Sequence, residues 1–452
     1  MAITLDLGNV FSDRIGSHGL DRNVLSKHIT DLDKYNRELT AAPYPFMKLP
    51  KTRFQFAEMK AIVKTLNRKG IKNFVLLGIG GSALGTEAIF NALLNPFHNY
   101  DKKTRGKKPR YFIVDNVDPN KINAIIEIVK PEIDKTLLVV ISKSGETPET
   151  ISQFMLFKKL MKKRGGDFQE RIILITDKDK GILNKIAKEE GYRTLNVPEG
   201  VGGRFSVLTP VGLFPALMMD TPVDEIMNGA QAMFTHIKDN IGMDNMAFTL
   251  AAILYSMDKA GKTIHVIMPY CERLSGFADW FRQLESESLG KGGCGPTPTK
   301  SMGVTDQHSQ LQLYVDGPKD KCVIFLYSAQ DIRSIPDSFP YLDDISYLAG
   351  KDMRDLFRAE FQGTSLSLTD AGTPNLTLAV KELNGYTLGA LFSLFEMVIV
   401  YLGVLYKVNA FDQPSVEQGK IYTKAIMGKR GLDKERSKIE SLSSLSKTTI
   451  IF

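Results

Sequence analysis

The stretch KNFVLLGIGGSALG, Lys72 to Gly85, decides the architecture of this 452-residue chain. Phe74, Val75, Leu76 and Leu77 form an unbroken apolar run, the pattern of a strand buried on both faces, as in parallel sheets. The glycines after it leave backbone amides uncovered, and a helical pattern begins immediately. A strand that turns through glycines into a helix presents free N–H groups and the positive end of the helix dipole, which together seat a phosphate or carboxylate. SKSGETPET, Ser142 to Thr150, repeats the device after the run TLLVVI and adds the hydroxyls of Ser142, Ser144 and Thr147 and the ammonium of Lys143. Neither seat has the GKT or GKS of a triphosphate loop, so the expected ligand is a phosphate carried on a small molecule.

A plain strand-to-helix turn and a dinucleotide fingerprint are the competing readings of GIGGSALG. Gly78, Gly80 and Ala83 fit GxGxxA, and Asp115 ends the next strand pattern, RYFIVD, where a ribose-binding acid would sit. The basic loop DKKTRGKKPR stretches that spacing beyond the usual ~20 residues, which weakens a nicotinamide reading.

From Phe54 to about Asn196, helix and strand patterns alternate, with strands near Phe74, Phe112, Leu138 and Ile173. This alternation predicts an α/β domain with helices on both faces of a parallel sheet and ligands at the carboxyl ends of the strands. Both anion seats lie at such ends and can serve one pocket. Beyond VPEGVGGRFSVLTP, three helical patterns (Pro210 to Met219, Val223 to Lys238, Asn245 to Ala260) lead to a second alternation with strands KTIHVIM, KCVIFLY and NLTLAV. The two α/β halves read as a diverged repeat, and the first fifty residues as a mostly helical arm.

Hydrophobic residues make up 43% of the chain and charged residues 24%, the balance of a soluble globular protein. The formal charge of +7 is spread along the sequence except at Lys102 to Arg110, which reads as a solvated loop rather than a nucleic-acid patch. Cys271, Cys294 and Cys322 have no CxxC spacing, so neither a disulfide framework nor a zinc site is expected, and a cytoplasmic setting fits. No secretory signal is visible at the start. Leu388 to Tyr406 approaches membrane length, but Ser393 and Glu396 in its middle favour a helix buried in protein. The histidines show no metal-ligand spacing, and no metal or cofactor is expected.

Several side chains outside the seats carry chemistry. In DWFRQLESESLGKGG, Gln283 and Glu287 are four apart and share a helical face, whereas Glu285 points elsewhere. Glu287 occupies the last turn, where a further negative charge opposes the dipole. His308, in TDQHSQLQLY, is flanked by polar residues, and an imidazole suits proton transfer near neutrality. Gln413 precedes or caps a helix starting around Pro414, on which Glu417 and Lys420 share a face. The glycines of VGGRFS let the backbone aim Arg204, always charged, at an oxyanion.

GIGGSALG, SKSGETPET, VGGRFS, ESLGK and FDQPSVEQGK, in this order and spacing from about residue 50 to 430, resemble the glucose-6-phosphate isomerase (phosphoglucose isomerase) family in its shorter bacterial form. The resemblance implies two sugar-isomerase type doubly wound parallel-sheet domains: a helical arm over residues 1–50, a large domain over 51–200, linker helices and a second domain over 201–405, and a C-terminal helical segment over 406–452. It implies that Ser142, Lys143, Ser144 and Thr147 cradle the phosphate, that Gly81 and Ser82 contact the sugar, and that Gln283 and Gln413 touch substrate. Glu287 takes the place of the proton-shuttling base, Arg204 that of the arginine beside the enediolate, and His308 with Lys420 that of the ring-opening pair. In that family the histidine crosses from a neighbouring subunit, which implies a homodimer acting on a sugar phosphate, with no nucleic-acid or membrane partner. Two departures stand out: Ser415 replaces the glycine of the usual QPGVE, which is expected to alter the backbone near Gln413, and Glu285 adds an acid beside the base. A non-catalytic sugar-phosphate-binding regulator and a nicotinamide-dependent oxidoreductase are the alternatives.

Overall fold

A computed structural model describes residues 3–164, 166–328, 333–337, 339 and 341–443; the end of the expected C-terminal segment, 444–452, lies outside them. The strands are β1 (Ile3–Asp6), β2 (Asn73–Leu77), β3 (Arg110–Val114), β4 (Thr136–Ile141), β5 (Ile172–Thr176), β6 (Arg193–Asn196), β7 (Ile264–Tyr270), β8 (Thr297–Lys300), β9 (Lys321–Tyr327) and β10 (Asn375–Val380). They form two five-stranded sheets, in the orders β3-β2-β4-β5-β6 and β1-β10-β9-β7-β8. The first is parallel throughout, as the continuous apolar runs predict.

Counted from its own first strand, the first sheet runs 2-1-3-4-5, and the second repeats 2-1-3-4 as β8, β7, β9 and β10. The fifth place is taken by β1, which runs antiparallel to β10 with Ile3 opposite Val380 and Asp6 opposite Thr377. The sequence reading had no strand there. It also had none at β6 (RTLN) or β8 (TPTK), both short and both at a sheet edge, where Pro298 is tolerated.

Period-two alternation sorts each strand between two cores. Phe74, Leu76, Leu137, Val139 and Ile141 join a central core shared with Ile267, Ile324 and Leu326 of the second sheet. Val75, Leu77, Leu138 and Val140 face an outer core of the first sheet, while Val266, Met268, Val323 and Phe325 face that of the second. The helices Pro210–Met218, Val223–Asp239, Met246–Lys259 and Gly385–Tyr406 fill the central core, close to the sequence-based boundaries. Side chains cap them: Asn245 accepts from the amides of Ala247 and Phe248, and Asn384 and Thr387 form a reciprocal capping box.

Gly385–Tyr406 is the one helix among the described residues long and apolar enough to cross a membrane, and 89% of its most apolar window is buried inside the protein. Its Glu396 is 1% exposed, and neither carboxyl oxygen has a hydrogen-bond partner among the described residues. Burial raises its pKa well above the ordinary 4.5, so the folded chain holds it protonated where the unfolded chain would ionise it. The folded state then binds more protons, and stability falls as pH rises above 4.5. Glu396→Gln is expected to stabilise the protein at neutral pH. Its advantage, read from denaturant midpoints, widens toward higher pH by up to about 1.4 kcal/mol per pH unit and shrinks on acidification.

Candidate active site

The first seat forms where β2 ends. Gly80–Ser82 makes a single 3₁₀ turn before the helix Leu84–Leu93, with Gly80 at φ +57°. Backbone meets backbone here: a Cβ on Gly81 would lie 2.5 Å from the carbonyl carbon and oxygen of Gly203. Ser206 Oγ reinforces the contact, lying 2.6 Å from the carbonyl of Gly203 and 3.4 Å from that of Gly81. Gln283 lies over the turn, its Nε2 2.7 Å from where a Cβ on Gly80 would stand. Gly81 and Ser82 are half-buried beside it.

The second seat follows β4. Ser142 is buried, its Oγ 2.9 Å from Thr147 Oγ1 and accepting from the amide of Gly145 at 3.1 Å. Ser144 Oγ is exposed and accepts from the Glu146 amide at 3.3 Å. Thr147 precedes the helix Pro148–Lys163, whose first-turn amides and dipole face the seat. Lys143 is committed elsewhere: its Nζ donates to the carbonyl of Val201 at 2.8 Å, tying the seat to the loop that carries Arg204.

Arg204 is 3% exposed and gathers three distant segments. Its Nε donates to Ser288 Oγ at 2.7 Å and its Nη1 to Gln413 Oε1 at 2.6 Å and Glu287 Oε2 at 3.4 Å. Its Nη2 donates to the carbonyls of Ala410 at 2.6 Å and Asp412 at 3.0 Å. Burial pulls the guanidinium below its ordinary pKa, and the neighbouring Glu287 and Asp412 oppose that shift. All five N–H donors of the side chain have acceptors.

Glu287 lies between this cation and Gln283, whose Nε2 donates to Glu287 Oε1 at 2.8 Å, the i, i+4 pairing expected on the helix Ser275–Leu289. Glu285 faces the other way and is fully buried, 2.7 Å from Nδ1 of the equally buried His265 on β7. The two glutamates are thus separated by the fold. Ser415 lies in the 3₁₀ turn Pro414–Val416 without positive φ, so the expected disturbance from the lost glycine has no backbone origin at that position.

His308 and Lys420 make no hydrogen bond or ion pair with the cluster among the described residues. His308 is exposed at the end of the 3₁₀ turn Thr305–His308, and its ring has no hydrogen bond or ion pair among the described residues. Lys420 is exposed on the helix Glu417–Ile426 and pairs with Glu417 at 2.7 Å. Sequence reading overlooked Ser288 and Lys291. Lys291 holds the 409–412 loop against the end of the Ser275–Leu289 helix through Asp412 at 3.0 Å and the Ser288 carbonyl at 2.9 Å. A lysine just past a helix C-terminus was the available signal.

Two doubly wound sheets, with candidate anion seats at the carboxyl ends of the first, a guanidinium on the loop after its last strand β6 and a carboxylate on the helix that follows β7 of the second, define an α/β protein of the sugar-phosphate isomerase class. The phosphoglucose isomerase family model matches residues 52–314 and 349–448, and the chain belongs to that family. It is 37% identical over 457 residues to the glucose-6-phosphate isomerase of Carboxydothermus hydrogenoformans, covering 97% of each chain. It is 39% identical over 394 residues to that of Rubrobacter xylanophilus, covering 86% of this chain and 90% of the relative. Among solved structures, a hypothetical protein of Thermus thermophilus superposes with a TM-score of 0.83 at 31% identity, over 94% of this chain and 100% of that one. The fold is also that of a glucose-6-phosphate isomerase from Chlamydia trachomatis, with a TM-score of 0.80 at 19% identity over 97% and 95% of the two chains. Neither the regulator nor the nicotinamide reading is favoured by these relationships.

The contact between the two glycine loops yields a direct test. Gly81→Ala forces a methyl group into the backbone of Gly203, and a loss of about 1–3 kcal/mol is expected. A methyl on Gly203 itself would meet nothing within 4 Å. Gly203→Ala should therefore stay within roughly 0.5 kcal/mol of the parent, as denaturant midpoints of the two variants can establish.

Proposed function

We propose that the protein catalyses the reversible aldose–ketose isomerisation of D-glucose 6-phosphate to D-fructose 6-phosphate, a step shared by glycolysis and gluconeogenesis. The observation that carries this reading is the carboxylate of Glu287, held 3.4 Å from the Arg204 guanidinium and 2.8 Å from the Gln283 amide. Family membership and the names of the relatives supply the substrate.

In the proposed reaction the phosphate rests on the Ser142, Ser144 and Thr147 seat, with the sugar against Gly81, Ser82, Gln283 and Gln413. Lys143 supports the seat through its bond to Val201. His308 and Lys420 open the ring: the anomeric hydroxyl gives up its proton as the bond from C1 to the ring oxygen breaks, and the ring oxygen takes one. Glu287 then removes the proton from C2, and the electron pair forms the C1–C2 double bond of a cis-enediolate. Arg204, its donors already engaged, contributes fixed positive charge to the oxyanion. A proton passes from the C2 hydroxyl to O1, Glu287 returns its own proton to C1, C2 becomes the carbonyl, and no net oxidation occurs. One carboxyl serves both carbons because they are adjacent.

The exposure of His308 and Lys420 within a single chain supports a homodimer in which His308 is supplied across the interface. A cytoplasmic setting agrees with three free cysteines.

Glu287→Gln should lower kcat by about 10²–10⁴-fold with substrate still bound, because the amide keeps hydrogen bonding but accepts no proton. Glu285→Gln leaves the proton-transferring group in place and should retain turnover. A coupled assay for fructose 6-phosphate compares them, and near-normal turnover in Glu287→Gln would remove it as the base. Mixing inactive His308→Ala and Glu287→Gln subunits, with exchange, should restore roughly a quarter of wild-type activity, since half of the dimers then carry one intact shared site. No recovery would place His308 in its own chain's site.

A further inference from the structure

The second sheet has a crevice of its own. Its strand order reverses between β7 and β9, which pair in parallel from Ile264 opposite Lys321 to Tyr270 opposite Tyr327, just as the first sheet reverses between β2 and β4. Ligands of doubly wound sheets sit outside the carboxyl ends of the strands at that reversal. A cavity of about 560 Å³ lies there, bounded by Cys271, Glu272 and Arg273 after β7 and by Ser328 after β9. That volume is within the ordinary range for small-molecule sites.

The lining is specific. Ser328 is 4% exposed, and its Oγ is buried with no hydrogen-bond partner among the described residues, a cost that a ligand oxygen would relieve. It directly follows the third strand of its sheet, as Ser142 of the phosphate seat follows β4. Arg333 and Arg354 also line the cavity; Arg354 faces Asp352 at 3.7 Å, and the Arg333 guanidinium has no partner among the described residues. Against these cations stand Glu272 and Glu360, and Glu360 already accepts from Gln307 at 3.0 Å. The wall is apolar: Phe357, with Met353 and Val304 beside it, presents an aromatic ring that is backed by Tyr270 at 5.7 Å and Tyr327 at 6.5 Å.

We propose that this crevice is a second ligand site, distinct from the Arg204–Glu287 cluster, that binds a phosphomonoester with a planar apolar body. Guanidinium groups match the phosphate bidentately, the Ser328 hydroxyl donates to a ligand oxygen, and the Phe357 wall takes the planar part. A free sugar phosphate suits it less, because its hydroxyls would face Phe357, Met353 and Val304. The inference does not rest on the isomerase reading.

Adenosine monophosphate is the probe, titrated calorimetrically into the full chain after saturation with fructose 6-phosphate, whose own binding is recorded first. The expected result is one site per chain, weakened about tenfold or more by Arg333→Ala with Arg354→Ala, and also weakened by Ser328→Val, with isomerase kcat/KM unchanged in the arginine double variant. Three outcomes overturn the proposal: no binding at millimolar probe, binding indifferent to these substitutions, or binding abolished by fructose 6-phosphate.

Discussion

A buried guanidinium cannot be left without acceptors, and that constraint holds the active region together. Arg204 draws one acceptor set from the helix that bears Ser288 and Glu287, 84 and 83 residues away in sequence, and another from the 410–413 loop, as far as 209 residues away. Removing any partner would leave a desolvated charge under-compensated, which costs far more than the pair contributes when intact. The positions of Glu287 and Gln413 are consequently tied to the integrity of the fold. Local chain conformation alone would not hold them.

The two sheets share an order but divide the labour. Glycines and hydroxyls follow the central strands of the first sheet. In the second sheet the same positions carry Cys271, Glu272, Arg273 and Ser328. The helix leaving β7 starts near that second crevice and ends at the first, where its last turns present Gln283 and Glu287. The packing of this helix against Leu84–Leu93 is close, since a Cβ on Gly276 would stand 3.1 Å from the Cα of Ala88. The first sheet carries the hydroxyl-bearing turn and the second carries the helix with the carboxylate.

Buried polar groups mark where the fold departs from a simple apolar core. Glu396 sits in the central helix with no hydrogen-bond partner among the described residues, while Glu285 and His265 satisfy each other in part beside Cys322, whose thiol is pushed up to about 12 by burial, with Glu285 adding to the shift. None of these four side chains lies in the Arg204 cluster. A list of acids and histidines taken from the sequence would give them the same weight as Glu287.

Much of this was legible in the chain. Continuous apolar runs marked the central strands because a strand buried on both faces has no polar side to show, and Pro119, Pro148 and Pro210 marked helix starts because their missing N–H is harmless there. Four-residue spacing put Gln283 and Glu287 on one face. Short edge strands such as RTLN and TPTK carry no such pattern, and ITLD found its place only because β10 left an open edge more than three hundred residues later. Periodicities, glycine turns and helix faces could be read directly from the residues, since all are consequences of local geometry. That Lys143 serves Val201, that Glu285 meets His265, and that Arg204 is saturated by remote segments could not, because those pairings depend on which surfaces the packed helices bring together.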